Sequence, residues 1–325
     1  MSDSANASAI ISMCSHLCVG ENVKPLEPGE WSKLAAALHG QNLEPKDLLR
    51  FSSSDFEARF NFDSVQAQRL CRLIDRGGSI AFEVEKYKKM GIEIVTRADE
   101  NYPKRLKQKL KNQCPPLFYY TGELSLFDER LVGFVGSRDV NQADIVFTQK
   151  TIDKVISHGF GVVSGGAGGI DSISRESTLK SGGIVAECLS DSLVKKVKDK
   201  EIIRAIKSGK FVAISVAKPN AGFNVGIAMM RNRYIYAGSI GTVVVKAECG
   251  KGGTWNGATE NLKNDWCPTF CWENASYEGN VALIEKGAIS IDENWDANIS
   301  SYKHPERGVH LQTSLFEESP QPSVF

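Results

Sequence analysis

Residues 131–171 read LVGFVGSRDVNQADIVFTQKTIDKVISHGFGVVSGGAGGID. Leu131–Val135 is a short apolar run that ends in Gly136-Ser137-Arg138. Gly161–Ser164 is a second run, ending in Gly165, Gly166, Gly168 and Gly169. Between them Ile145, Thr148, Ile152, Val155 and Ile156 recur at helical spacing, and Gly159 stands where a helix would close. Strand, helix and strand over this length make a parallel crossover. The strand ends of such a unit open on a shared crevice, where small residues let backbone amides approach a ligand. The loops GSR and SGGAGGID are therefore expected side by side at one edge of a parallel sheet.

The same alternation continues outward. Strands are expected at Leu131–Val135, Gly161–Ser164, Ile184–Cys188, Phe211–Val216, Thr242–Val245, Pro268–Trp272 and Ala288–Ile291. Helices fit between them at Asn141–Ser157, Ile170–Lys180, Ser192–Lys207, Asn232–Ala237, Thr254–Lys263 and Asn280–Glu285. This is the pattern of an α/β chain with a doubly wound, mostly parallel sheet. Ahead of it, Ile92, Ile94 and Val95 and then Leu117–Tyr120 suggest two more short strands. They flank a basic run, Lys104, Arg105, Lys107, Lys109 and Lys111, expected as a solvated helix face. Residues 1–90 read as a separate helical module: Trp31, Leu34, Ala35 and Leu38 share one face, and Ala67, Leu70, Leu73 and Ile74 another. Residues 91–292 form the α/β domain. Residues 293–325 are polar and rich in proline and serine, and are expected to be a disordered tail.

Composition narrows the class. The chain has 325 residues, 42% hydrophobic and 24% charged, as expected of a globular protein large enough for two domains. Basic and acidic residues number 39 each, so any anion-binding surface must be local. No apolar run approaches the roughly 20 residues of a membrane span, and the start lacks a signal-peptide pattern, so the cytoplasm is expected. The eight scattered cysteines suit reduced thiols. Cys14 and Cys18 around His16, and Cys267 with Cys271, do not follow CxxC zinc spacing, and no metal or cofactor is expected. The five histidines show no HExxH or triad-like grouping.

Four loops share a glycine, lysine and arginine bias. Arg138 beside Gly136 and Ser137 can make paired contacts to phosphate. In the second loop, Ser164, Gly165, Gly166, Gly168 and Gly169 precede a helix whose N-terminal amides favour anions. Asp171 is expected to hold that loop, since a carboxylate aimed at phosphate repels it. Arg231, Asn232 and Arg233 stand at an expected helix start. Lys246, Lys251, Gly253 and Thr254 lie in KAECGKGGTWNGATE, where a helix opens. No GxxxxGK[ST] string occurs, and the glycines lack dinucleotide-fingerprint spacing.

GSR, SGGAGGID and RNR, in this order, resemble the DNA-processing protein A (DprA/Smf) family of the Rossmann-like SMF/DprA–LOG superfamily. The lead-in also resembles that family, with a YP-x-x-L motif at Tyr102 and PP-x-x-[FY]-x-x-G from Pro115, as do the later GGTWNGA and GNVALIEKGA. The resemblance covers roughly residues 30 to 290. It implies an extended Rossmann-like core with a SAM-like helical module. It also implies a non-catalytic, dimeric protein that binds single-stranded DNA and delivers it to the RecA recombinase in natural transformation. The implied DNA contacts are Ser137, Arg138, Gly165–Gly169, Arg231, Arg233 and a lysine, Lys246 or Lys251.

The chain departs from the family in three places. Arg175 stands where the family usually has a histidine, the stretch after Cys188 is lysine-rich and glycine-poor, and no winged-helix pattern follows residue 291. A plasmid, repair or phage-defence setting is compatible with these changes. In the tail, Gln312, Leu315 and Phe316 resemble the Q-x-x-L-F peptide that docks on the replication sliding clamp. Two alternatives remain open: a nucleotide-binding sensor or adaptor, and a LOG-like nucleotide hydrolase in which Glu260 would match that branch's glutamate.

Overall fold

The computed structural model describes residues 4–20, 23–299 and 302; Gln312, Leu315 and Phe316 lie outside them. Five helices come first: α1 (Ser4–Cys14), α2 (Pro28–Gly40), α3 (Ser53–Phe60), α4 (Ser64–Ile74) and α5 (Gly77–Lys88). Their starts are written in the sequence. At α3 the Asp55 N–H donates to Ser52 Oγ at 3.3 Å, and the Ser52 N–H donates back to Asp55 at 2.9 Å. That reciprocal pair satisfies two amides the helix itself leaves unpaired. Asp63 accepts from the Gln66 N–H at the start of α4, at 2.7 Å. Trp31, Leu34, Leu38, Phe56, Leu70 and Leu73 are buried together, and the cluster runs without a break onto Leu117, Tyr119, Val185, Phe211 and Ala213 of the sheet. The helical module and one sheet face therefore share a core.

The sheet has nine strands among the described residues: β1 (Glu93–Thr96), β2 (Leu117–Gly122), β3 (Leu131–Val135), β4 (Gly161–Ser164), β5 (Val185–Leu189), β6 (Phe211–Ser215), β7 (Gly241–Val244), β8 (Thr269–Trp272) and β9 (Ile289–Ile291). Their order is β1-β2-β6-β5-β4-β3-β7-β8-β9. From β6 to β9 every pairing is parallel, and β2 runs antiparallel to β1 and β6. The expected α/β class with a doubly wound, mostly parallel sheet is what the chain adopts. Strands β3 to β8 are buried at every residue. Helices on both faces leave no solvated side, which is why these strands read as continuous apolar runs rather than as alternation.

The covering helices are α6 (Lys104–Leu110), α7 (Gln142–Ser157), α8 (Ile170–Lys180), α9 (Leu193–Lys196), α10 (Lys200–Lys207), α11 (Val225–Gly238), α12 (Gly252–Asn264) and α13 (Glu278–Glu285). Three expectations are corrected. The single helix at Ser192–Lys207 is two, because Asp199 caps α10 by accepting from the Glu201 N–H at 2.8 Å. The helix expected at Asn232–Ala237 is the second half of α11. Asn224 starts that helix seven residues ahead of Arg231, accepting from the Ile227 N–H at 3.0 Å. Arg231, Asn232 and Arg233 thus stand in mid-helix, not at its start. Thirdly, the basic run is only partly a solvated face. Arg105 donates to the Gly238 carbonyl at 2.8 Å and Lys109 to the Ser239 carbonyl at 2.8 Å. The unpaired carbonyls and partial negative charge at the end of α11 favour cations there.

One topological feature positions the site. From β3 the chain winds outward through β4, β5 and β6, and α11 then carries it back to β7 on the other side of β3. The carboxyl ends of β3 and β7 therefore border the crevice where strand order reverses, the place where open α/β sheets bind ligands.

Candidate functional site

A cleft of about 510 Å³ occupies that crevice. It is lined by Gly136, Ser137 and Arg138 after β3, by Ala167, Gly168 and Asp171 after β4, and by Met229, Arg231 and Asn232 of α11. Lys246 after β7 and Lys251, Gly252, Gly253 and Thr254 at the start of α12 complete it. The four loops singled out from sequence thus converge on one site. The first two lie side by side: the Ile170 N–H donates to the Ser137 carbonyl at 3.2 Å. Gly169 makes that approach possible. Its φ is +67°, and a Cβ there would stand 2.4 Å from the Ser137 oxygen.

The spaces beside the loop glycines differ. Space beside Gly165 is filled by Arg231, that beside Gly136 by Ile170, and that beside Gly166 by Glu187 and Leu189. Ser164 is 1% exposed. Gly168 is the loop glycine with open space beside it that also lines the cleft.

The charged groups separate into layers. Arg138 is exposed at the rim, its guanidinium 5.3 Å from the centre of the Phe223 ring. Lys251 is also exposed, 3.1 Å from Glu248, an ion pair too solvated to hold it. Lys251 gives α12 no side-chain cap, so the first-turn amides at Gly252–Thr254 keep their hydrogen-bonding capacity. Lys246 is more committed: Nζ donates to the Asp139 carbonyl at 2.9 Å and lies 3.6 Å from the buried Asp144. Asn232 donates to the Gly253 carbonyl at 2.9 Å and so holds the start of α12 against α11.

Arg231 is nearly buried, 7% exposed. Its Nη2 is 3.9 Å from Asp171 and its Nε has no hydrogen-bond partner among the described residues. Asp171 accepts from the Ala167 N–H at 3.1 Å, the loop-holding role expected of it. Burial raises its carboxyl above the usual aspartate range, against the pull of Arg231. Arg233 does not line the cleft; its Nε lies 2.7 Å from Glu260, so the two residues engage each other. Arg175 is elsewhere too. It lies 3.2 Å from Glu187, a fully buried carboxylate on β5, whose other oxygen is 2.6 Å from Lys196. The unusual arginine and one lysine of the basic stretch thus neutralise an internal charge.

Sequence reading missed Phe223, Val225 and Met229, which line the cleft at 54%, 64% and 48% exposure. An aromatic between Gly222 and Asn224, outside any buried periodic face, was the available signal. Among the described residues, neither histidine nor cysteine lines the cleft. Cys267 and Cys271 are buried at β8, and burial pushes their thiols up to about 11 and about 12. Exposed cations, helix-start amides and an open aromatic face are groups that hold an anionic chain carrying flat rings.

The DNA recombination-mediator protein A family matches residues 93–301, a span that takes in the whole sheet and the cleft. DNA processing protein DprA of Bacillus subtilis is 24% identical over 286 residues, covering 83% of this chain and 93% of that protein. The X-ray structure of DprA from Streptococcus pneumoniae shares the fold with a TM-score of 0.67 at 19% identity, over 84% of this chain and 93% of that one. DprA from Helicobacter pylori, described for its single-stranded-DNA binding mode, shares it with a TM-score of 0.53 at 24% identity, over 64% and 94%. With the ordered motifs at the carboxyl ends of β3 and β4 and a family match across the sheet, this chain belongs to the DNA recombination-mediator protein A family.

Proposed function

We propose that the cleft binds single-stranded DNA by its sugar–phosphate backbone. The observation that carries this reading is Arg138 standing over exposed Phe223 at the rim of a cleft bordered by the uncapped start of α12. The guanidinium and the amides take phosphates in turn, and the aromatic face stacks an unpaired base. A duplex keeps its bases stacked inside and offers nothing to Phe223. Ser137, Gly168, Asn232, Gly253 and Thr254 shape the phosphate path, and Lys246 supports it from behind. Family membership and the Helicobacter pylori relative's described binding mode support the same class of ligand.

The reading extends, by family resemblance, to a cytoplasmic homodimer that delivers the strand to the RecA recombinase in transformation, recombination or phage defence. No described helix is long and apolar enough to cross a membrane. The hydrolase alternative draws no support from Glu260, which engages Arg233 away from the cleft. Fluorescence anisotropy with one oligonucleotide, single- and double-stranded, at two salt concentrations tests the proposal. The single strand is expected to bind tighter and to weaken steeply with salt. Equal binding of both forms, or indifference to salt, would sink it. Strand exchange by RecA on protein-coated DNA, with and without this chain, tests the delivery step.

A further inference from the structure

We infer that the floor of the cleft takes a terminal phosphomonoester, the phosphorylated end of the bound strand, while internal phosphates pass over the rim. The inference rests on the single-stranded-DNA reading and adds to it a second, distinct subsite. Its starting point is Arg231. This side chain is 92% buried, its Nε has no hydrogen-bond partner among the described residues, and the carboxylate nearest its Nη2, at 3.9 Å, is beyond hydrogen-bonding reach. Burying a guanidinium nitrogen without an acceptor is unfavourable, and folded proteins seldom leave such a group unmatched. Arg231 is also held in place. It lies against the bare backbone of Gly165, where no side chain fits. It lines the cleft, so the group that would satisfy it comes from the cleft and brings acceptor oxygens.

The shape of the site selects which oxygens. Arg138 and Lys251 are exposed and are reached by a backbone running past. Arg231 is reached only by a group that inserts. An internal phosphate is esterified to a sugar on each side and carries a single charge, so inserting it drags two nucleosides into the floor. A terminal phosphate is tethered on one side, offers three free oxygens and carries about −1.5 to −2 charges at neutral pH. It pairs with a guanidinium through two parallel bonds. Asp171 beside it is engaged by the Ala167 N–H at 3.1 Å, and burial raises its carboxyl above the usual aspartate range.

One oligonucleotide sequence prepared with a 5′-phosphate, with a 3′-phosphate, with hydroxyl ends and as a circle tests this, with a deoxynucleoside monophosphate as competitor. One phosphorylated end is expected to bind at least about tenfold tighter than the hydroxyl-ended and circular forms, the worth of one charge-assisted pair. Arg231→Gln is expected to erase that preference, whereas Arg138→Ala weakens all forms alike and leaves the ratio intact. If phosphorylated, hydroxyl-ended and circular strands bind wild type equally, the end-binding inference is overturned and the rim reading stands. If no form binds, the single-stranded-DNA reading falls with it. A free monophosphate that competes as well as the phosphorylated strand assigns the floor to a nucleotide and overturns the strand-end assignment. The wild-type comparison decides the matter even where Arg231→Gln does not fold.

Discussion

A Cβ on Gly165 would stand 1.3 Å from Nη1 of Arg231. The arginine of α11 thus occupies the side-chain volume of a residue in the loop after β4, and the two elements fit only because that residue is glycine. Arg231 therefore sets the position of the loop as well as presenting charge to the cleft.

Gly165→Ala is expected to cost about 1–3 kcal/mol through overpacking and to weaken single-stranded-DNA binding. Combining it with Arg231→Ala is expected to recover most of the stability, since the methyl group then enters space the guanidinium has left. Urea unfolding of both single variants, the double variant and wild type measures the coupling. Contacting residues that share a site couple by about 0.5–3 kcal/mol; strictly additive losses would contradict the interlock.

Arg138→Ala removes an exposed rim cation. Its expected effect is a loss of about 1–2 kcal/mol of affinity spread evenly over all sequences, with the log-affinity against log-salt slope shallower by about 0.7. Thermal unfolding should not move, because the side chain supports no core contact. Arg233→Ala serves as the contrast: its partner is Glu260, so it is expected to leave the salt slope unchanged.

Phe223→Ala removes the exposed ring. Affinity is expected to fall by about 1–3 kcal/mol, the worth of one stacked base, with the salt slope intact. Phe223→Trp should keep most of the affinity. A changed slope in Phe223→Ala, or a Trp variant as weak as the Ala variant, would remove stacking from the account.

The N-terminal helices carry an acid-sensitive link. Hydrogen bonds from Arg69 hold the Glu30 carboxyl below its ordinary value, and join α2 to α4. A carboxyl depressed in the folded state stabilises it above the unfolded value of about 4.3 and loses that contribution as pH falls through the lowered value. The pair is partly solvated, so the effect is under about 1 kcal/mol. Amide exchange in α2 and α4, corrected for intrinsic rates, is expected to quicken below about pH 4. In Glu30→Gln it should no longer respond to pH over that range.

Much of this is legible in the sequence. The strands expected at Leu131–Val135 and Gly161–Ser164 and the helix at Ile170–Lys180 fall on the observed residues, because apolar runs between glycine breaks allow few other readings. The start of α11 was not legible. Val225 and Met229 face the cleft rather than a core, so the apolar periodicity that announces a helix begins only after the helix has started. That displaced Arg231, Asn232 and Arg233 to an imagined helix start.

The amino-acid order by itself determined the parallel sheet, the family and the loops that meet at its edge, since these follow from short-range patterns of burial and turning. It did not sort the cations. Arg138 faces solvent, Arg231 lies at the floor, Arg233 engages Glu260, Lys246 approaches Asp144, and Arg175 and Lys196 meet at Glu187. A charged side chain is drawn to whichever opposite charge or cavity the fold brings beside it, and several of those partners lie far along the chain. Only the tertiary structure, by closing those distances, decided which positive charges remain for a ligand.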